Sequence, residues 1–159
     1  DAVGKPDAGE ALVKRTQEQI DQAKKQIAAW KPAKPMRVAF LYVRGNAGVF
    51  FILGSENGAS ELIQGVGADD VASDKGITTL VPANAESLVS INPDAIFVMR
   101  DGLASTGGMK GLLARAGVAN TTAGRKQRVI SIPDGISLSF GPQTGEVLTA
   151  VAKALYGVK

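Results

Sequence analysis

Hydrophobic positions near the start of the chain follow a helical period. Between residues 7 and 30 they recur at spacings of three and four, which places them on one face of an α-helix. Proline cannot continue a helix, so the KPAKP segment at 31–35 ends it. The pattern predicts an exposed tail over 1–6 and a long amphipathic helix over 7–31. The positions on its apolar face are Leu12, Thr16, Ile20, Ala23, Ile27 and Trp30.

Beyond this helix, short apolar runs alternate with helical patterns. Continuous apolar strands separated by helices are typical of a mostly parallel sheet that is covered on both faces. The sequence therefore predicts a single doubly wound α/β lobe over 36–159, preceded by the long helix. The predicted strands are 36–43, 77–81, 94–99 and 128–132, and the predicted helices are 57–66, 84–91, 107–117 and 142–156.

The loops that follow the strands of such a sheet gather at one edge, where ligands bind. Tyr42 and Arg44 stand at the mouth of the first loop, and Met99 stands at the mouth of the third. Ser137 and Ser139 lie in the last loop, close to the start of the final helix. The loops predicted at this edge are 44–54, 82–84, 100–107 and 133–141.

The amino-acid composition excludes several classes of function. The 159 residues include no cysteine and no histidine, which excludes disulfides, histidine-ligated zinc and Ser-His-Asp catalysis. The net charge is +3 and the basic residues are dispersed, so we expect no nucleic-acid partner. No apolar run reaches membrane-spanning length.

Glycines and aspartates give no recognisable phosphate or calcium motif. The GVGADD segment at 65–70 has G-x-G spacing but follows a helix, whereas a dinucleotide-binding loop follows a strand. No calcium loop of the D-x-D-x-D-G kind is present. We interpret the scattered carboxylates as solvated turn residues; they are Asp69, Asp70, Asp74, Asp101 and Asp134.

Tyr42 and Arg44 occur in the stretch FLYVRGNAG at 40–48, where a core strand reaches a loop. Residues i and i+2 of a strand point the same way, so both side chains project into the predicted cleft. A guanidinium beside a phenol stabilises the phenolate. A phenolate is an iron ligand that haem proteins use. The alternative is an ordinary surface pair, a tyrosine at a strand end beside a solvated arginine.

The long helix followed by a small α/β lobe resembles half of a substrate-binding protein of an ABC importer. Within that family, YVRGNAG and the following GSENGASELIQGVGADD are similar to the haemin receptors of the HmuT type. The resemblance implies that 7–31 links two lobes and that 36–159 is the C-terminal lobe. It also implies a function without enzymatic activity: binding ferric haem b and delivering it to an ABC permease for iron acquisition. Such receptors are membrane-anchored lipoproteins outside the cytoplasm.

The resemblance also implies roles for individual residues. Tyr42 would be the iron ligand and Arg44 would hydrogen-bond to it. The histidine of the family's N-terminal lobe and that lobe itself are missing from this chain, which leaves one haem face open to water or to a haem-mediated dimer. Candidates for an alternative ligand or for the pocket wall are Met99, Ser137, Ser139 and Phe50, and candidates for permease contact are Glu56 and Glu61.

Other readings of the sequence stay open. The same fold could bind a ferric siderophore or a corrinoid, or the chain could be a small α/β signalling domain. A lobe that binds nothing without its partner lobe is a third alternative. Met99 is equally compatible with core packing, and Phe50 and Phe51 fit core packing better than the porphyrin face. Glu61 is equally compatible with a solvated helix position.

Overall fold

The computed structural model describes residues 6–45, 48–135 and 140–158. A single sheet of six strands in this part of the chain is surrounded by helices. The strands are β1 (Arg37–Arg44), β2 (Val49–Ile52), β3 (Asp69–Asp70), β4 (Val81–Pro82), β5 (Ala95–Met99) and β6 (Val129–Ile132). The helices are α1 (Pro6–Trp30), α2 (Ala59–Gly65), α3 (Val71–Asp74), α4 (Ala85–Ile91), α5 (Arg100–Ser105), α6 (Gly108–Leu113), α7 (Thr122–Arg125) and α8 (Thr144–Tyr156). Two short 3-10 helices cover Ser55–Asn57 and Val118–Asn120.

Strand order in the sheet is β4-β2-β1-β5-β6, and β3 pairs with the beginning of β1. The pairs β1–β3, β1–β5 and β5–β6 are parallel, whereas β2 pairs antiparallel with β1 and β4. The predicted mostly parallel α/β lobe is therefore confirmed, with a short antiparallel extension on one side. Because β1, β5 and β6 are parallel, the residues that end them lie at one edge of the sheet.

Two separate apolar clusters pack on the two faces of the sheet. Along β1, Phe40 belongs to the cluster formed with α1, α2 and α8, whereas Leu41 belongs to the cluster formed with α3, α4, α6 and α7. Both side chains are fully buried. This alternation is the period of two expected of a strand that is buried on both faces. The lobe is thus doubly wound, as the sequence predicts.

Helix α1 packs on the lobe through its C-terminal half only. Ala23 and Ile27 are buried against α8, whereas Leu12 and Val13 are exposed by 37% and 70%. Close approach to α8 depends on Gly145, where an added Cβ would lie 2.8 Å from the Gln19 carbonyl oxygen. The long helix is confirmed, but Leu12, which begins its predicted apolar face, is exposed and not part of either core cluster. No described helix combines the length and the apolar character that a membrane span requires.

The predicted strand at 77–81 is wrong except for its last residue. The segment has β-branched residues, but the carbonyls of Ile77 and Thr78 accept hydrogen bonds from the amides of Ser55 and Glu56 at 3.1 and 2.9 Å. Gly54 makes this contact feasible because a Cβ there would lie within 2.6 Å of the Thr78 carbonyl oxygen. The backbone therefore pairs with a loop and not with the sheet.

Two of the predicted loops contain regular structure. Val49–Ile52, assigned to the loop 44–54, forms strand β2, consistent with its β-branched and aromatic side chains. Gly45, directly after β1, and Gly48, directly before β2, have φ of 57° and 62°, values that glycine adopts readily. Helix α5 occupies most of the predicted loop 100–107, and the predicted helix 107–117 is shortened to α6.

Candidate functional site

Tyr42 and Arg44 lie together at the carboxyl end of β1. The Arg44 guanidinium carbon is 5.2 Å from the centre of the Tyr42 ring, within the range of a cation–π contact. Both side chains are half-buried, and Tyr42 packs against the cluster formed with α1, α2 and α8. The period of two along a strand places them on the same face. The pair has the geometry of an interacting unit, with the cation over the ring and no hydrogen bond to the phenol oxygen.

Arg44 also contacts residues from the two neighbouring strands. Its Nη2 lies 3.8 Å from the Met99 Sδ at the end of β5 and 3.5 Å from the Asp134 Oδ1 just after β6. The Asp134 distance is that of an ion pair without hydrogen-bond geometry. The other carboxylate oxygen of Asp134 accepts a hydrogen bond from the Asp101 amide at 2.8 Å. Three parallel strands thus bring one cation, one carboxylate, one thioether and one phenol to the same edge.

Two polar atoms of this group are buried without a hydrogen bond. They are Arg44 Nη1 and Asp134 Oδ1. Buried polar atoms are nearly always hydrogen-bonded, so unpaired ones require an explanation. Helix α5 is responsible for part of the burial, because Gly102 brings its backbone close: a Cβ there would lie 2.6 Å from the Val43 carbonyl oxygen and 3.3 Å from Arg44 Nη1.

The Tyr42 hydroxyl has no hydrogen-bond partner among the described residues. The chain has one other tyrosine, Tyr156, whose hydroxyl donates to the Val66 carbonyl at 2.7 Å. Burial, together with the nearby negative charge of Asp69, raises the pKa of Tyr156 above its usual value. Tyr156 is therefore a neutral structural side chain, whereas the oxygen of Tyr42 is available to a ligand.

The structure places Phe50 on the opposite face of the sheet from Tyr42. Phe50 is paired with Val43 and packs against the second cluster, with the Arg115 guanidinium carbon 4.9 Å from its ring centre. Phe51 is the residue directly opposite Tyr42 in the β1–β2 ladder. Phe50 therefore lies on the other face of the sheet from Tyr42, and Phe51 is the aromatic residue paired with Tyr42.

The remaining candidates are spread over the surface. Ser137 and Ser139 lie outside the described residues. Glu56 is exposed in the 3-10 helix after β2, and Glu61 is exposed on α2. Glu61 lines a groove of about 380 Å³ together with the half-exposed ring of Phe140.

Two of the aspartates interpreted as solvated turn residues make contacts within the protein. Asp70 is buried; it accepts hydrogen bonds from the Ser60 hydroxyl and, at 2.9 Å, from the Ala72 amide that begins α3. Asp134 contacts Arg44 as described above. Sequence pattern gives little sign of either; the nearest signal is that Asp134 follows the predicted strand 128–132 by two positions.

No cluster of three or more histidine, cysteine or carboxylate side chains that could hold a metal ion occurs in the described ranges. Elongated grooves occur elsewhere: one of about 420 Å³ runs between α1 and α8. At the sheet edge, the described side chains with iron-binding chemistry are the Tyr42 phenol, the Met99 thioether and the Asp134 carboxylate.

A family model described as periplasmic binding protein matches residues 1–135. The chain belongs to the periplasmic binding protein family. Within the family it is similar to the solved haem-binding protein HmuT, with 48% identity over 99% of this chain and a TM-score of 0.96. Solved forms of HmuT include variants in which a tyrosine, an arginine two positions later, or a histidine is replaced by alanine. No curated protein sequence matches this chain.

Two further periplasmic binding proteins support the same placement. The haem-binding protein RhuT from Roseiflexus sp. RS-1, solved in its apo form, is 35% identical over 98% of this chain, with a TM-score of 0.91. BhuT, solved in complex with two haems, is 32% identical over 95% of this chain, with a TM-score of 0.83. The chain spans about half of these relatives: 50% of HmuT, 58% of RhuT and 56% of BhuT. The predicted resemblance to haemin receptors is confirmed.

Proposed function

We propose that this lobe binds ferric haem b at the carboxyl edge of its sheet, with the Tyr42 oxygen as the iron ligand. The observation that carries the proposal is the Tyr42–Arg44 unit, in which a phenol without a partner among the described residues lies beside a half-buried guanidinium that has one buried nitrogen without an acceptor. Tyrosine and arginine two positions apart are also the residues replaced in solved variants of HmuT, which is a haem-binding protein.

The residues at this edge fit a haem. An anionic phenolate is a hard oxygen ligand and is suited to ferric iron. Arg44 has one buried Nη without an acceptor, so it can donate to a phenolate oxygen after a small rotation. Its positive charge favours the phenolate over the phenol. Met99 offers a softer sulfur donor at the same edge, and Phe51 offers an apolar surface next to Tyr42.

In the full-length receptor, we propose, α1 links this C-terminal lobe to an N-terminal lobe, and haem is bound between the two. The exposed first half of α1, with Leu12 and Val13 in solvent, supports this arrangement because an apolar helix face is usually covered. The receptor would act outside the cytoplasm as a membrane-anchored lipoprotein. It would deliver haem to an ABC permease, with Glu56 and Glu61 as candidate contacts.

For the 159-residue chain alone we propose haem-dependent association. One lobe covers one side of a flat macrocycle, and the other side is free to stack on the haem of a second copy. The solved complex of the relative BhuT with two haems supports a site that holds two macrocycles. Sedimentation with and without haemin tests this: we expect a dimer only with haemin, and a monomer in both conditions would contradict it.

An absorption titration with haemin tests the proposed function. We expect saturable binding with a Soret band and a tyrosinate-to-iron charge-transfer band for the parent, and loss of that band for Tyr42→Ala. Tyr156→Phe is the matched control, since it removes the hydroxyl of the other tyrosine and should leave both bands unchanged. Titrations with a ferric siderophore and a corrinoid distinguish the alternative ligands: tighter binding of either would overturn the proposal.

A further inference from the structure

We propose that Asp134 is a positioning residue for haem binding, which it supports by holding the Arg44 guanidinium over the Tyr42 ring. This inference rests on the proposed function and adds a residue to it. Asp134 lies in the segment after β6, whereas Arg44 and Tyr42 belong to β1, so β5 lies between them in the sheet. The contact therefore fixes the position of Arg44 from outside its own strand.

Asp134 is itself held in place. Its Oδ2 accepts a hydrogen bond from the Asp101 amide at 2.8 Å, which ties the carboxylate to the start of α5. Its Oδ1 faces Arg44 Nη2 at 3.5 Å and makes no hydrogen bond. A carboxylate anchored through one oxygen presents the other in a defined direction. The pair is partly exposed, with 38% of the Arg44 side chain and 25% of the Asp134 side chain accessible.

The surroundings restrict Arg44 to this position. Helix α5 closes one side at Gly102, where an added Cβ would lie 3.3 Å from Arg44 Nη1. The Met99 sulfur lies 3.8 Å from Nη2, and the Tyr42 ring lies below the guanidinium. These contacts keep the guanidinium over the Tyr42 ring, with the unused Nη1 donor buried against α5. Without Asp134, the Arg44 side chain could adopt rotamers that turn it toward solvent. Arg44 would then lose side-chain conformational entropy when haem binds.

Rates of haem loss test this inference in a double-mutant cycle. Asp134→Asn keeps an oxygen for the Asp101 amide but removes the charge. We expect it to accelerate haem transfer to excess apomyoglobin by about two- to fivefold, the effect of a partly exposed ion pair. In an Arg44→Ala background the same change should have no effect, because Asp134 acts through Arg44. Asp101→Asn removes an equal charge from an exposed neighbour that does not contact Arg44, and its rate should equal that of the parent.

Two further readouts separate positioning from a purely structural role. Asp134→Asn should shift the tyrosinate-to-iron charge-transfer band in the same direction as Arg44→Ala, while the thermal midpoint of the haem-free protein changes little. In haem-free protein, the ¹⁵N signals of the Arg44 guanidinium, assigned by their loss in Arg44→Ala, should show slow rotation that becomes fast in Asp134→Asn.

The inference is overturned if Asp134→Asn leaves the rate and the band unchanged, or if its effect is equal in the parent and Arg44→Ala backgrounds. Either result would leave the proposed function intact. The proposed function fails separately, if the parent chain binds no haemin or if Tyr42→Ala retains the charge-transfer band.

Discussion

Strand β1 has an arginine at each end, and the two are bound in different ways. At the amino end, Arg37 donates to the carbonyls of Ile91 and Asn92 at 2.7 and 3.0 Å, where α4 ends. At the carboxyl end, Arg44 has an ion pair at 3.5 Å, a sulfur contact at 3.8 Å and a buried nitrogen without an acceptor. The amino edge of the sheet uses its polar groups for the fold, and the carboxyl edge keeps them available for a ligand.

The two tyrosines show the same division. The Tyr156 hydroxyl is bonded to the Val66 carbonyl, which joins the end of α8 to the end of α2. The Tyr42 hydroxyl has no partner in the described part of the chain. Substitutions of residues with satisfied groups should therefore change stability, whereas substitutions at the carboxyl edge should change haem binding.

Arg37→Ala should cause the largest loss of stability among these polar substitutions. It removes two hydrogen bonds from a charged donor and leaves two carbonyls without partners, at a cost of roughly 2–3 kcal/mol in the free energy of unfolding. This loss in the free energy of unfolding is measured by urea denaturation, with circular dichroism as the probe. Arg44→Ala is the matched control at the other end of the strand, and an equal loss in both variants would contradict the comparison.

Arg44→Ala should change haem binding and not stability. Outer-shell partners of metal ligands typically contribute about ten- to a hundredfold in affinity, and we expect haem loss to accelerate by about tenfold. The measurement is haem transfer to apomyoglobin. Arg15→Ala, on the exposed surface of α1, controls for the removal of one positive charge. If the rate of haem loss is unchanged from the parent, Arg44 does not contribute to haem binding and is an ordinary surface arginine.

Tyr156→Phe should destabilise the lobe by about 1 kcal/mol, because it removes one hydrogen bond and leaves the Val66 carbonyl without its donor. Chemical denaturation near neutral pH measures the change. Haemin binding should be the same as in the parent. A change in the haem spectrum with no change in stability would reverse the roles that we assign to the two tyrosines.

A smaller effect should appear at alkaline pH. The folded-state pKa of Tyr156 is raised, so above about pH 10 the unfolded chain loses a proton that the folded chain retains. Ionisation then stabilises the unfolded state, and the stability of the parent falls as pH rises. The stability difference between the parent and Tyr156→Phe should therefore shrink as the pH rises above about 10. A difference that stays constant would contradict a raised pKa.

The fold could be predicted from the sequence in segments where one local pattern, an apolar run or a helical periodicity, dominated. The apolar runs of β1, β5 and β6 and the periodicity of α1 and α8 identified these elements nearly to the residue. The segment 77–81 failed because its carbonyls pair with a loop, a contact that depends on tertiary structure. Strand β2 was missed because the surrounding glycines suggested an open loop, whereas Gly45 directly follows β1 and Gly48 directly precedes β2.

For the candidate site, the sequence predicted the contact within one strand but not the contacts between strands. Tyr42 and Arg44 are neighbours on one strand, so a period of two is enough to bring them together. Asp134 is ninety positions away from Arg44 in sequence. Only the parallel arrangement of β1, β5 and β6 brings the two residues close together. Phe50 was chosen over Phe51 as a pocket residue because the register of β2 against β1 cannot be read from the sequence.

The identity of the iron ligand tests the central claim most directly. We would compare the haem complexes of the parent, Tyr42→Phe and Tyr156→Phe by resonance Raman spectroscopy, exciting into the charge-transfer band. The proposal predicts phenolate modes in the parent and in Tyr156→Phe, and none in Tyr42→Phe, together with an affinity weaker by about a hundredfold or more. Phenolate modes that persist in Tyr42→Phe, or that disappear in Tyr156→Phe, would contradict it.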